Sequence, residues 1–352
     1  MTWSTSHKIL APLAALAVVL GGTALIERLP APASAVTLAD RVPQHAVPAR
    51  ASGEAMSRVD GISHQSAAVT DTQHQAVLDY WTAERMAAAQ PITSLLVGAL
   101  RPPRAETAPD DVDRQASPRA DSRGDVWSAG GLVAKTTGKV YLTMDGRDFT
   151  CSASVVNSAN KSTLLTAGHC AKDGRGSWAR NWTFVPGHDA GTDPYGRFTA
   201  RDMLVAPQWS RDADDSYDFA MVVLNTDGGT AVQDRVGAQR IAFNSWTEEK
   251  VRDGVQVYAF GYPASSPFDG EDLHYCSGRT KPDTGGTTAN GVLCRMTQGS
   301  SGGPWFTGFD TKTGQGTISS LVSFKYANDR STQYGPRLGA EARKLYNHAS
   351  GM

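Results

Sequence analysis

The 352-residue chain has no excess of charge, with 34 Lys and Arg against 35 Asp and Glu, and no long block of either sign. A nucleic-acid partner is therefore not expected, because such proteins carry a clearly basic domain. Cysteine is scarce: four residues, none before Cys151, and no Cys-x-x-Cys pair. Thiolate zinc sites usually show that spacing, which sets a zinc reading aside. The chain also lacks the alternation of strands with long helices that a parallel α/β sheet requires. Its one long apolar run, residues 9–26, lies at the lower limit for a membrane span and is broken by Pro12 and Gly21-Gly22.

That run has a different explanation. His7 and Lys8 precede it, and "ERLPAPASA" follows, with small residues at Ala33 and Ala35. A basic start, an apolar middle and an A-x-A-like end describe a secretory signal over residues 1–35, cleaved after Ala35. An uncleaved anchor is the competing reading. In an exported chain four cysteines suggest disulfides. Of the three pairings, the sequential one, Cys151–Cys170 with Cys276–Cys294, is favoured because each bridge closes a short loop.

Residues 36–125, rich in Ala, Pro, Arg and Asp, do not read as a compact domain. Within them, "TDTQHQAVLDYWTAERMAAAQP" predicts a helix begun by a Thr70/Gln73 capping box and ended by Pro91. Val77, Leu78 and Trp81 share a face that needs another surface to pack on. Residues 101–125 are Pro- and charge-rich and read as an exposed linker whose arginines a protease could cut. From about residue 130 the pattern changes to short β-branched or aromatic runs, such as "GKVYLTM" and "GVQVYAFGYP", separated by turn residues. These predict a sandwich or barrel. Leu338, Ala342, Leu345, Tyr346 and Ala349 recur at helical spacing and predict a terminal helix docked on the β domain.

Three short stretches could carry chemistry. In "LLTAGHC", His169 follows an apolar strand and precedes a cysteine, which suits a held general base. His188, His274 and His348 lack that framing, and the remaining histidines precede residue 75. In "SYDFAMVVL", Asp218 opens an apolar strand and could accept an imidazole N–H. Asp212, Asp214 and Asp215 lie in a polar loop that reads as solvated. In "GSSGGPW", Ser301 could attack, with the Gly299 and Ser301 amides turned toward a developing oxyanion and Gly302 and Gly303 leaving room for substrate backbone. The stretch also fits G-x-S-x-G, but that elbow needs an acid, a histidine and the rest of a sheet after the serine, and only 51 residues follow.

"LLTAGHC", "YDFAMV" and "GSSGGP", in this order, resemble the trypsin/chymotrypsin-like serine peptidases over roughly residues 126–352, in particular secreted bacterial trypsin-like and glutamyl-endopeptidase-like members. The resemblance implies an all-β fold of two six-stranded barrels with a C-terminal helix. It implies His169 as base, Asp218 as its orienter, Ser301 as nucleophile and Gly299 and Ser301 as oxyanion hole. It matches Cys151–Cys170 to the family bridge beside the histidine. It further implies a monomer that needs no cofactor or metal, acts on protein or peptide substrates, and carries its own pro-segment as inhibitor or chaperone. A calcium in "GHDAGTD" competes with a solvated turn, and the turn is favoured.

One departure stands out. Animal trypsins have Asp before the nucleophile, where it receives the new N-terminal amine; here that residue is Ser300, which cannot form the ion pair. Family spacing also places Arg295 where an Asp would select Arg or Lys, which counts against a cationic primary ligand. Thr297, Gln298, Ser323 and Phe324 are the expected substrate-binding positions, with Lys325 beside them. A non-catalytic binding module and a secreted esterase are the alternatives.

Overall fold

The computed structural model describes residues 57–59, 61–92 and 118–352. The signal, and residues 101–117 of the linker, lie outside the described residues. Among those described, no helix is long and apolar enough to cross a membrane.

The described residues open with β1 (Ser57–Val59), β2 (Ile62–Ser66), helices α1 (Asp71–Tyr80) and α2 (Ala83–Ala88), and β3 (Gln90–Pro91). The capping box forms as Thr70 and Gln73 predict. The helix stops at Tyr80, however, and a second one starts from a Thr82 cap. The break lets Trp81 turn inward, where it is 1% exposed against Tyr141, Val185 and Met86. Its indole N–H is taken by the Asn181 carbonyl. Val77 packs beside it, whereas Leu78 stays outside the cluster. Trp81→Ala in the full chain is expected to cost about 3–5 kcal/mol, read as a lower denaturant midpoint.

β4 (Arg123–Val126) pairs with a later strand, β13 (His274–Arg279). The end of the predicted linker is thus sheet: Ser122 is buried, and its hydroxyl donates to the Tyr275 carbonyl. Main-chain pairing makes this strand, and polar side chains give no sign of it.

The first barrel runs through β5 (Thr137–Met144), β6 (Arg147–Val155), β7 (Thr163–Thr166), β8 (Arg180–Pro186), β9 (Phe198–Val205) and β10 (Ala220–Leu224). Antiparallel pairs in the order β5–β6–β7–β10–β9–β8 close back onto β5. β5 is buried on both faces, one lining the closed barrel and the other covered by the segment around Trp81. Val140, Leu142 and Met144 point into the core, while Tyr141 lies under Trp81 and Thr143 bonds Tyr80 and Asp148. β2 adds an outer strand against β9.

After β11 (Arg240–Ile241) come β12 (Gln256–Gly261), β13 (His274–Arg279), β14 (Lys281–Pro282), β15 (Asn290–Leu293), β16 (Pro304–Asp310), β17 (Gln315–Leu321), β18 (Phe324–Tyr326) and β19 (Asp329–Gly335). This second half is drawn from two sheets. One runs β13–β12–β16–β17, and the other joins β15–β19–β18. The chain passes from β17 straight into β18, which ties the sheets on one side. On the other, Cys276–Cys294 links β13 to the residue after β15. Removing that bridge as a double Cys→Ser variant is expected to cost about 3 kcal/mol on loop-entropy grounds, read as a denaturant-midpoint shift against the parent. The terminal helix, Ala340–Ser350, buries Ala342, Leu345 and Ala349 as its spacing predicts.

Candidate active site

His169 sits in a single 3-10 turn, Gly168–Cys170, directly after β7. The next residue is bridged to Cys151 on β6, so the turn is tied to the strand beside β7. Asp218 ends another such turn, Asp215–Tyr217, just before β10. β7 and β10 are neighbours, which brings the two residues together.

The Asp218 carboxylate is 1% exposed and fully engaged. The His169 amide donates to Oδ1 at 2.8 Å, and Nδ1 meets Oδ2 at 2.8 Å. The Ser323 hydroxyl donates to Oδ2 at 2.5 Å. Burial alone would raise the Asp218 pKa, but the His169 charge and these donors hold it below the ordinary carboxylate value. Burial would likewise lower His169, yet the Asp218 charge and hydrogen bond leave it above the ordinary imidazole value. With Nδ1 committed to Asp218, Nε2 remains buried and without a hydrogen-bond partner among the described residues. Trp209 backs the ring at 6.4 Å between centroids, its own N–H fixed on the Lys172 carbonyl.

Ser301 lies in the loop between β15 and β16, itself 4% exposed. Its carbonyl accepts from the Ser152 amide at 2.7 Å, which draws the loop onto β6 of the first barrel. No hydrogen bond joins its hydroxyl to His169 among the described residues. Gly299 has φ +97°, and a Cβ there would lie 2.7 Å from the Tyr262 carbonyl oxygen, so only glycine fits. Gly302 also has positive φ (+85°), and a Cβ there would strike the Ser152 carbonyl and the Thr166 hydroxyl. Its missing side chain therefore serves contact between the two halves of the molecule, where substrate room was expected. Neither the Gly299 nor the Ser301 amide has an acceptor among the described residues, whereas the Ser300 amide between them is taken by Thr297.

The expected specificity residues are placed differently from one another. Ser323 spends its hydroxyl on Asp218. Thr297 exchanges hydrogen bonds with the backbone of Ser265, and Gln298 is exposed. Phe324 is half-buried and stacks on Tyr334 at 5.3 Å. Arg295 is exposed, its amide bonded to the Arg123 carbonyl beside β4. Lys325 donates to the carbonyls of Cys294 and Arg330. Two of the rival histidines are committed elsewhere: His188 to Glu271, and His274 to the Gly124 carbonyl. In "GHDAGTD", Asp193 pairs with Arg197, and Asp189 closes a turn with Thr192. Sequence reading missed Trp209, the Asp218-binding role of Ser323, and Ser152. None carries a local signal, because each acts across the fold.

Two packed β halves, a buried Asp–His pair and a serine loop between them define a trypsin-like serine protease. The trypsin family model matches residues 130–335, and the chain belongs to that family. Protease Anisep from Arthrobacter nicotinovorans is 40% identical, with 62% of this chain and 96% of that one covered at a TM-score of 0.58. A thermostable serine protease, AL20, from an extremophilic microorganism is 41% identical, with 63% and 99% covered at 0.58. A Glu endopeptidase, 20% identical with 66% and 98% covered at 0.52, shares the fold. Among curated proteins, an extracellular metalloprotease of Bacillus subtilis (strain 168) is 32% identical over 73 residues, 21% of this chain and 23% of that protein. The chain thus spans under a quarter of that relative. Among the described residues the one His/Cys/Asp/Glu group within metal-ligating distance is Cys151, His169 and Cys170. Its two sulfurs are joined to each other and offer no thiolate.

Proposed function

We propose that this chain is a secreted, pro-segment-bearing endopeptidase that hydrolyses peptide bonds through His169, Asp218 and Ser301. The observation that carries the reading is the buried Asp218–His169 pair, which leaves Nε2 as the free basic atom. Ser301 attacks the scissile carbonyl. His169 Nε2 takes its proton and returns it to the leaving amine, and water resolves the acyl-enzyme. The Gly299 and Ser301 amides stabilise the oxyanion. Asp218 holds the Nδ1–H tautomer and the charge of the imidazolium. Export rests on the residue 1–35 pattern and on two disulfides. The catalytic domain is residues 126–352, acting as a monomer.

Of the two roles for the pro-segment, the contacts favour a chaperone. Bonds from residues 61–92 go to Asp148, Asn181, Thr199, Asp202 and Ser210 on the first barrel and on the helix between β9 and β10, rather than to the triad.

The test is fluorophosphonate labelling of the secreted protein, with the modified residue mapped by mass spectrometry and turnover compared on matched peptide and ester substrates. The expected adduct is on Ser301, with peptide turnover. No adduct on a folded protein defeats catalysis and promotes a binding module; ester turnover alone promotes an esterase.

The pH dependence has a definite sign. Catalysis needs neutral His169, whose pKa the Asp218 charge and hydrogen bond hold above the ordinary imidazole value against the effect of burial. Activity (kcat/KM) is expected to fall as pH drops through that raised value. Stability runs the other way for this group: its pairing contributes fully below the unfolded value and is lost as pH rises through the folded one. For Asp218 the contribution is present above its unfolded value and lost as pH falls through its lowered folded one. A pH–rate profile with parallel melts checks both.

A further inference from the structure

The oxyanion loop needs something to hold its amides outward, and Ser300 cannot supply an ion pair. Its side chain is turned inward, 1% exposed, with Oγ donating to the Thr297 carbonyl at 2.7 Å. Instead, three successive carbonyls of the loop are tied. Gln298 O accepts from the Ala264 amide at 2.6 Å, Gly299 O from the Ser152 hydroxyl at 3.0 Å, and Ser300 O from the Gly303 amide at 3.0 Å. A trans peptide sets its N–H opposite its carbonyl. Fixing Gln298 O therefore turns the Gly299 N–H the other way, and fixing Ser300 O does the same for the Ser301 N–H. Gly299, at φ +97° and without a Cβ, is the swivel between the first two ties.

We propose that Ser152 is a positioning residue that presets this oxyanion hole by clamping the Gly299–Ser300 peptide, in place of an ion pair at residue 300. The inference rests on the triad reading above. Ser152 is fully buried on β6, next to bridged Cys151. Its amide donates to Ser301 O and its carbonyl accepts from the Thr166 hydroxyl at 2.8 Å. Its hydroxyl accepts from the Tyr262 amide at 2.9 Å. A hydroxyl has one proton; with an N–H arriving on one side, that proton is free to go to Gly299 O. The swivel is then pinned at both flanking peptides, and the hole is built by contacts between the two halves of the molecule.

The test is Ser152→Ala in the secreted enzyme, with kcat, KM and the affinity of a peptide boronic acid measured beside a thermal melt. The boronate mimics the tetrahedral state and reports the hole directly. A lost clamp is expected to lower kcat by about tenfold and weaken the boronate similarly, with KM within about twofold. Ser152→Cys, nearly isosteric with a far weaker donor, gives the same reading if the alanine variant does not fold. Unchanged kcat in a folded variant overturns the proposal, as does a KM rise with unchanged boronate affinity. Wild-type enzyme without turnover would instead defeat the triad reading, so the two failures are distinguishable.

Discussion

Ser301→Ala is expected to lower kcat by about a million-fold, equivalent to about 8 kcal/mol of transition-state stabilisation. The size follows from how the groups act together. Without Oγ there is no acyl-enzyme, and His169 has no proton to take from the attacking atom. What remains is the pair of loop amides and substrate binding, so water must attack directly. The fold should be unaffected. Ser301 is tied to the first barrel through its backbone carbonyl, and no hydrogen bond depends on its hydroxyl among the described residues. A variant with unchanged melting, unchanged boronate-free substrate binding and lost turnover is the expected result. Ser300→Ala is the counterpart: it removes only an internal bond to Thr297 and should leave Ser301 reactive. Turnover surviving in Ser301→Ala but lost in Ser300→Ala would show that the nucleophile had been placed one residue out of register.

Asp218→Asn should cost about ten-thousand-fold in kcat. The carboxylate receives three donors: the His169 amide, His169 Nδ1–H and the Ser323 hydroxyl. A carboxamide offers one acceptor oxygen and presents an NH2 to whatever faces its other end. If the NH2 faces Nδ1, the ring keeps its proton on Nε2, the atom that must accept from Ser301. The charge is lost as well. Burial of His169 then loses its main opponent, with only the Asp215 and Asp173 charges left against it, so its pKa should fall from the raised position it holds in the parent. A lower acid limb together with the lower kcat separates this electrostatic cause from a general loss of structure, which would not move the limb in a defined direction.

Much of this protein follows from its sequence alone. The three motifs nominate the residues of the proposed triad because each couples a reactive side chain to a local constraint: a strand and cysteine around His169, an apolar strand after Asp218, glycines around Ser301. Family membership follows from their order. The cysteine pairing and the buried face of the terminal helix were legible for the same reason, that loop closure and periodicity are properties of neighbouring residues. The break at Trp81 was not, because it is set by the cavity that the indole fills beside Tyr141 and Val185. Nor was the strand Arg123–Val126, whose polar residues are ordered by main-chain pairing with β13.

Tertiary structure alone decided which distant groups meet at the site. Ser152 and Ser323 read as ordinary strand serines. Only folding places one hydroxyl on the Gly299 carbonyl and the other on the Asp218 carboxylate, across sequence separations of 147 and 105 residues. Hydrogen bonds act at a few ångströms regardless of chain distance, so the residues that aim a catalytic group need not lie near it in sequence.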